Sequence, residues 1–283
     1  MVRIVADSTC DLSPELVKRF NVLILPLHVL LGEKEYKDGV DITLDELFKW
    51  SDDNKTTPKT SAPSVEDATS LFQPVINAGD EIIAFSISQS MSTSGNVMRI
   101  AAEEIEAEDK ISVVDSKNLS TGIGLLVCKA AEMAQKNMSR EDILKGIDEL
   151  IPKVRASFVV DTLTYLHRGG RCSGAAAFAG SALKLHPRIE VVDGAMQVGK
   201  KYRGKYNRVV LEYAKDMEEA ILKADSTRVF ITFTGVAKEI EDAVRGYIES
   251  LNKFDEICIT HAGATVASHC GYGTLGVLFI AED

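Results

Sequence analysis

Serine and threonine residues are concentrated in a segment that could bind an anion. Residues 88–95 read Ser-Gln-Ser-Met-Ser-Thr-Ser-Gly, and residues 96–105 after them predict a helix. Hydroxyl groups and the free N–H groups at a helix start can donate to the same oxygens, so this segment could hold a carboxylate or a phosphate. A serine-rich turn is also a common helix cap, and that alternative stays open.

A second hydroxyl-rich segment, Thr60-Ser61-Ala62-Pro63-Ser64, follows a polar stretch that predicts a loop over residues 52–60. Ser64 is explained as the N-cap of a helix that ends near Gly79. Capping does not explain Thr60 and Ser61, which are therefore candidate hydrogen-bond donors to a ligand.

Histidines near the end of the chain form a third candidate. His261 ends a predicted strand, and His269 precedes Gly271-Tyr272-Gly273. Glycine lets the backbone approach a ligand closely, and an imidazole can donate to a carboxylate. A single histidine is more often structural than functional, so His269 by itself does not assign a site.

Residues 271–276 match G-x-G-x-x-G, but this pattern does not predict dinucleotide binding here. It leads into the last predicted strand, and too few residues follow for a βαβ unit. The sequence has no G-x-S-x-G nucleophile elbow and no H-E-x-x-H metal motif. A hydrolase that uses Ser92 and His269 remains a minor alternative without a specific spacing signature.

The elements that must position these residues alternate between strands and helices. Strands are predicted at residues 3–6, 22–27, 28–31, 81–87, 111–114, 156–160, 188–192, 195–198, 228–233, 256–260 and 275–281. Helices are predicted at 14–20, 43–50, 64–79 and 96–105, in a long stretch ending at residue 136, and at 139–152, 205–224 and 237–250.

This alternation predicts an α/β fold of two lobes, each a mostly parallel sheet covered by helices, with a ligand site at the lobe junction. The predicted lobes are residues 1–155 and 156–283. Ligands in such folds bind beyond the carboxyl ends of strands. Asp7-Ser8-Thr9, the serine segment 88–95 and Asp115-Ser116 each follow a predicted strand.

Composition limits the class of partner. The chain has 283 residues, a net charge of −10 and a pI near 5.1, which argues against nucleic acid as the main partner. The segment from Arg168 to Arg208 is the exception, with nine basic residues against Glu190 and Asp193. Either a solvated face or a patch facing an anionic partner explains it.

The sequence also predicts a location. No apolar run approaches the ~20 residues of a membrane span. The first residues lack the order of a signal peptide, and the five cysteines form no C-x-x-C pair or regular framework. We therefore expect a cytoplasmic protein with reduced thiols and no transmembrane segment.

Taken in order, several motifs resemble the DegV family along essentially the whole chain. They are Asp7-Ser8-Thr9-Cys10-Asp11-Leu12, Thr60-Ser61-Ala62-Pro63-Ser64, the serine segment 88–95, Val114-Asp115-Ser116, Asp161-Thr162-Leu163-x-Tyr165-Leu166-x-x-Gly169-Gly170-Arg171, and His269-x-Gly271-x-Gly273-x-Leu275-Gly276. Each motif is weak alone, but the ordered set is specific.

The resemblance implies a non-catalytic protein that binds one long-chain fatty acid and presents its carboxylate to an ATP-dependent fatty acid kinase subunit. The resulting acyl phosphate would feed phospholipid synthesis. The alternatives are a carrier or sensor of another lipid or small carboxylate, and the hydrolase named above. No metal and no cofactor other than the bound fatty acid is implied, and transient contact with a membrane surface is compatible with it.

The resemblance also implies roles for individual residues. The carboxylate would be held by Thr60, Ser61, Ser92 and His269, with Thr60 favoured over Ser61. The supporting loops would contain Ser94, Gly95, Gly271 and Gly273. Arg171 and Arg203 would face the kinase or the acyl phosphate.

Two positions depart from the family pattern. The family usually has Gly-Pro-Gly where this chain has Gly271-Tyr272-Gly273, and a Leu-Ser-Gly-Thr type of sequence where this chain has Met91-Ser92-Thr93-Ser94. Threonine lacks the backbone freedom of glycine. The sequence therefore leaves open both the backbone path of the serine segment 88–95, called the serine loop below, and the geometry of the site for the carboxylate headgroup.

Overall fold

The computed structural model describes residues 1–175 and 185–282. Lys184, which belongs to the basic segment identified above, lies outside the described residues. Residues 1–115 contain strands β1 (Val2–Asp7), β2 (Leu23–Leu25), β3 (His28–Leu31), β4 (Lys34–Lys37), β5 (Lys59–Ser61), β6 (Glu81–Ser86) and β7 (Ile111–Asp115). The helices among them are α1 (Pro14–Phe20), α2 (Leu44–Asn54), α3 (Val65–Asn77) and α4 (Ser94–Glu104).

The rest of the chain begins with helices α5 (Thr121–Gln135) and α6 (Arg140–Leu150). Its strands are β8 (Val154–Val159), β9 (Cys172–Ser173), β10 (Leu185–Val192), β11 (Ala195–Arg203), β12 (Ala224–Thr234), β13 (Glu256–His261) and β14 (Thr274–Ala281). Its further helices are α7 (Thr164–Gly169), α8 (Tyr206–Asp216), α9 (Glu218–Leu222), α10 (Lys238–Ser250) and α11 (Ala264–Cys270).

Side-chain caps set the start of three predicted helices. Ser13 accepts a hydrogen bond from the Leu16 N–H at the start of α1. Thr43 and Ser64 form capping boxes at the starts of α2 and α3. These caps satisfy N–H groups that the helix itself leaves free, and they confirm the helix starts predicted from the sequence.

The first sheet is parallel throughout, in the order β2-β1-β6-β7. The α/β prediction is confirmed, and the parallel sheet is correct for this half of the chain. A small antiparallel sheet of order β4-β3-β5 stands beside it. Its strand β5 contains Thr60 and Ser61, which the sequence placed in a loop; β5 is only three residues long and is held in place by pairing with β3.

The second large sheet has the order β13-β12-β14-β8-β10-β11-β9, and its pairing is mostly antiparallel. Among the described strands of this sheet, only β12–β13 and β11–β9 pair in parallel. The prediction of a mostly parallel second sheet is therefore wrong. The physical reason is that β14 inserts antiparallel between β12 and β8, and that a tight turn joins β10 to its antiparallel neighbour β11. The parallel βαβ arrangement is present at β12, α10 and β13.

A two-residue turn joins β10 to β11, as Asp193-Gly194 predicts. Asp193 and Gly194 both have positive φ, 49° and 82°, which is the geometry of a type I′ turn. The Ser90 hydroxyl donates to the Gly194 carbonyl, so the turn also fixes the serine loop of the first half. The predicted single helix at 205–224 is instead two helices, α8 and α9, separated at Met217.

One continuous hydrophobic cluster joins the two large sheets. It contains Phe85 of the first sheet, Ile123 and Leu126 of α5, and Phe158 and Leu278 of the second sheet. Helix α5 therefore packs between the two halves of the chain. The division at residue 155 stays a prediction.

Candidate functional site

Both halves of the chain line a cavity of about 510 Å³. The lining residues are Leu27, Thr60, Ser61, Ala62, Ile87, Gln89, Ser90, Met91, Ser92, Thr93, Leu119, Arg171, Met196, Thr265, Val266, His269 and Cys270. The polar members come mainly from β5, the serine loop and α11, and the apolar members provide much of the remaining wall. The cavity combines polar and apolar lining residues, as an amphiphilic ligand requires.

Thr60 and His269 meet in this cavity although they are far apart in the chain. The Thr60 Oγ1 and His269 Nε2 atoms are 2.8 Å apart. Strand β5 supplies the threonine, and the last turn of α11 supplies the histidine. The two residues that the sequence linked only through a family resemblance are therefore direct neighbours.

The surroundings of His269 indicate which ring nitrogen has the proton. Nδ1 is buried and has no hydrogen-bond partner among the described residues, and it faces Gly169. A buried N–H donor without a partner is costly, whereas a lone pair without one costs less. We therefore assign the proton to Nε2, which donates to Thr60 Oγ1 and leaves the threonine hydroxyl hydrogen free to point to a ligand.

His269 is neutral near pH 7. Burial lowers the pKa of His269 to about 4, and the positive charge of Arg171 adds to the effect. A neutral imidazole has one donor and one acceptor, which matches the single bond to Thr60. His269 therefore acts as a hydrogen-bonding group and not as a cation.

Ser92 also lines the cavity and lies two residues before the first residue of α4. Its Oγ accepts from the Ser94 N–H at 3.2 Å, so its hydroxyl hydrogen remains available to donate. The start of an α-helix also has partial positive charge, which favours an anion nearby. Thr93 has φ −88° and ψ 9°, a conformation that does not require glycine, so threonine fits this loop without strain.

Ser94 and Gly95 lie behind the cavity and do not line it. The Ser94 hydroxyl donates to Asp7 Oδ2 at 2.8 Å, and Asp7 also accepts from the Ile87 N–H at 2.9 Å. Burial raises the pKa of Asp7, although these hydrogen bonds oppose the change. A Cβ at Gly95 would lie 2.6 Å from Ser86 Oγ. These residues hold the serine loop against β1 and β6.

Gly271 and Gly273 have positive φ, 82° and 78°, which only glycine adopts readily. They turn the chain from α11 into β14, which confirms that the glycine pattern leads into a strand. Tyr272 between them is 59% exposed, and its ring packs edge-on against Phe48. The glycines thus shape the chain beside His269 and do not line the cavity.

The two arginines named from the sequence lie in different places. Arg171 lines the cavity, is exposed, and donates from Nη1 to the Gly169 carbonyl at 2.7 Å. Arg203 is exposed at the end of β11 and is not among the cavity residues. The structure therefore places one arginine at the cavity and the other on the surface outside it.

Sequence reasoning missed Thr265 and the two carboxylates that hold α11. Asp11 Oδ1 accepts from the Gly263 N–H, and Asp38 Oδ1 accepts from the Ala264 N–H, each at 2.7 Å. A spacing of four residues between Thr265 and His269 was the available signal, because such residues share one face of a helix. The seven residues of α11 contain no strong helix signal, so this spacing does not stand out in the sequence.

No group of three or more His, Cys, Asp or Glu side chains at residues 1–175 and 185–282 could hold a metal ion. Within the same ranges, no helix has the length and apolar character of a membrane span.

Comparison with known proteins identifies the family. Residues 1–282 match the family model described as "Uncharacterised protein, DegV family". A DegV domain-containing protein of Clostridium acetobutylicum is 35% identical over 284 residues, which cover 99% of each chain. A DegV domain-containing protein of Caldanaerobacter subterraneus is 31% identical over 280 residues, which cover 98% of each chain.

Two solved structures have the same fold over nearly their whole length. A structure described as fatty acid binding of a DegV family protein from Thermus thermophilus has a TM-score of 0.90 and 29% identity, covering 99% of each chain. A stearic acid-binding protein from Eubacterium ventriosum has a TM-score of 0.86 and 32% identity, covering 100% of this chain and 99% of its own. With a family model matched from end to end, this chain belongs to the DegV family.

Proposed function

We propose that this protein binds one long-chain fatty acid, with the carboxylate at the polar end of the cavity and the tail along its apolar walls. The observation that carries the proposal is the meeting of Thr60, His269 and Ser92 around one cavity with apolar walls. Two similar proteins, from Thermus thermophilus and Eubacterium ventriosum, are described as binding a fatty acid and stearic acid.

Hydroxyl groups that line the cavity can donate hydrogen bonds to the carboxylate oxygens. The Thr60 hydroxyl, freed by the bond from His269, and the Ser92 hydroxyl donate to its oxygens. Ser61 also lines the cavity and is a further donor of the same kind. The partial positive charge at the start of α4 and the Arg171 guanidinium stabilise the negative charge. A buried carboxylate needs such partners, because its transfer from water is otherwise costly.

Apolar walls suit the tail. Leu27, Ile87, Met91, Leu119 and Val266 line the cavity. Removing a tail from water gives about 0.8 kcal/mol per CH₂, or on the order of 10 kcal/mol for sixteen carbons. That is enough for tight binding after the cost of association.

We further propose that the protein is a cytoplasmic carrier and not an enzyme, and that a partner kinase phosphorylates the bound carboxylate with ATP. The acyl phosphate would then enter phospholipid synthesis, with transient contact between the carrier and a membrane surface. The hydrogen-bond partner of His269 Nε2 is Thr60 and not Ser92, so the contact that a Ser92–His269 hydrolase would need is not the one present.

Native mass spectrometry with lipid extraction tests the binding proposal. We expect one fatty acid per chain, and about 10- to 100-fold weaker binding of hexadecanoic acid by Ser92→Ala and Thr60→Val, because each removes a hydrogen bond to a charged group. Ser250→Ala is the matched control, since its hydroxyl donates to the Tyr247 carbonyl on the surface of α10. An empty protein that also takes up no added fatty acid would contradict the proposal.

Charge reversal tests the kinase proposal separately. Converting both Arg171 and Arg203 to Glu should abolish kinase-dependent phosphorylation of the fatty acid. Arg203→Glu alone is the sharper variant, because Arg203 does not line the cavity and its change should leave lipid binding intact. Lys18→Glu on the surface of α1 is the control. Loss of lipid binding in Arg203→Glu would refute the assignment.

A further inference from the structure

Thr265 has a hydroxyl group that the protein itself does not use. The residue lines the cavity and is 4% exposed, and its Oγ1 is buried without a hydrogen-bond partner among the described residues. Buried hydroxyl groups normally have a partner, because an unsatisfied one is unfavourable. A valine has the same shape and would avoid this cost. We therefore expect the hydroxyl to have a hydrogen-bond partner outside the protein itself.

The position of Thr265 in its helix explains why the backbone does not satisfy it. Ser268 on the same helix donates to the Ala264 carbonyl, four residues earlier, at 2.7 Å. Thr265 is the second residue of α11, and the residue four positions earlier, His261, belongs to strand β13. The usual backbone acceptor of a helical hydroxyl is therefore missing at Thr265.

Thr265 lines the same cavity as the proposed carboxylate site and lies about one helical turn before His269. It precedes His269 by four residues on the same helix face, so the two side chains are about 5–6 Å apart at Cβ. An oxygen on one of the first few carbons of a ligand whose carboxylate is bound at Thr60 and His269 would therefore be within reach of the Thr265 hydroxyl.

We propose that Thr265 makes the cavity selective for a fatty acid with an oxygen substituent, hydroxyl or oxo, a few carbons from its carboxylate. The Thr265 hydroxyl donates to that oxygen and so gains the partner it lacks. An unsubstituted chain leaves Thr265 without a partner and binds less tightly. This inference rests on the proposed fatty-acid-binding function and adds the chemical class of the ligand.

Calorimetry with three ligands tests the proposal. They are hexadecanoic acid, 3-hydroxyhexadecanoic acid and 16-hydroxyhexadecanoic acid, the last of which has its hydroxyl group at the far end of the chain. We expect the unchanged protein to bind the 3-hydroxy acid about tenfold more tightly than either of the others. Thr265→Val should remove this preference and leave hexadecanoic acid bound at least as tightly as before. Thr265→Ser should keep the preference.

Ser268→Ala is the matched control, because it removes a hydroxyl from the same helix that bonds only to the backbone. Its preference among the three ligands should equal that of the unchanged protein. Equal weakening of all three ligands by Thr265→Val would overturn the proposal, since the hydroxyl would then serve the carboxylate. An unchanged protein without preference for the 3-hydroxy acid would also overturn it. Failure of all three ligands to bind would instead refute the fatty-acid-binding function.

Discussion

At the scale of single residues, the candidate site depends on a close contact between Gly169 and His269. The imidazole packs against Gly169, the last residue of α7, and a Cβ there would collide with Nδ1. Gly169 does not have positive φ, so its backbone would accept alanine. The absence of a side chain at this position therefore serves the placement of the ring.

We expect Gly169→Ala to push the His269 ring from its place and to weaken fatty acid binding about tenfold or more, measured by calorimetry. The added methyl group cannot be accommodated without movement of the ring. Gly246→Ala is the control, since a Cβ on this exposed helical residue would meet nothing within 4 Å. It should leave binding unchanged and stabilise the protein by roughly 0.5–1 kcal/mol. Equal ligand affinity for Gly169→Ala and the unchanged protein would contradict the role given to the glycine.

At the scale of elements, two carboxylates from the first half of the chain fix the start of α11. Asp11 follows β1, Asp38 follows β4, and both are buried. Burial raises the pKa of Asp11 well above its usual range, although the Gly263 N–H and the Ser120 hydroxyl oppose this by donating to it. The helix with Thr265 and His269 is therefore oriented by residues from the opposite half.

Asp38→Ala should lower the free energy of unfolding by about 2–4 kcal/mol, because it removes the acceptor of one buried and one half-buried donor. These are the Ala264 N–H at 2.7 Å and the Ser8 hydroxyl at 3.0 Å. Fatty acid binding should weaken as well, since α11 loses its anchor. Urea unfolding and calorimetry measure the two effects.

Asp45→Ala, in the exposed first turn of α2, is the control and should cost less than about 1 kcal/mol. Should Asp38→Ala prove as stable and as competent in binding as this control, the anchoring role would be wrong.

At the scale of the whole molecule, a buried arginine connects elements from both halves. Arg228 of β12 is 3% exposed and donates from Nε to Glu256 of β13 at 2.8 Å and from Nη2 to Glu132 of α5 at 3.1 Å. Arg19 of α1 donates to the same Glu256 at 2.6 Å. This network and the continuous core around α5 hold the two walls of the cavity together.

The burial of His269 should also change how the free energy of unfolding of the whole molecule depends on pH. Its pKa is about 4 in the folded protein against a usual value of 6.5, so the unfolded chain takes up the proton first as the pH falls. Above pH 6.5 the shifted pKa of His269 costs the folded protein no stability. Between pH 6.5 and about pH 4 the free energy of unfolding falls progressively, because the unfolded chain binds the proton and the folded protein does not. The loss amounts to roughly 3 kcal/mol.

Urea unfolding of the unchanged protein and of His269→Gln between pH 7 and pH 4 measures this contribution. The variant keeps the buried carboxylates, including Asp7 and Asp11, whose raised pKa values change stability in the opposite direction. The difference between the two proteins should therefore isolate the histidine. Parallel stability curves for the two proteins over this range would show that His269 is not buried in its neutral form.

Much of the local structure could be predicted from the sequence because it depends on neighbours in the chain. The caps at Ser13, Thr43 and Ser64 act over three residues, and the Asp193-Gly194 turn closes within two. The second sheet could not be predicted in the same way. Its antiparallel order depends on the insertion of β14 between β12 and β8, two strands that lie earlier in the sequence.

For the candidate site, the sequence by itself determined which residue types are available: the hydroxyl groups at Thr60 and Ser92, the imidazole at His269, and the glycines that turn the chain after it. The tertiary structure alone decided that Thr60 contacts His269 across 209 positions, that Ser94 turns away to Asp7, and that Thr265 lines the cavity. The physical reason is that hydrogen bonds and burial depend on distance in space, which local patterns of sequence do not specify.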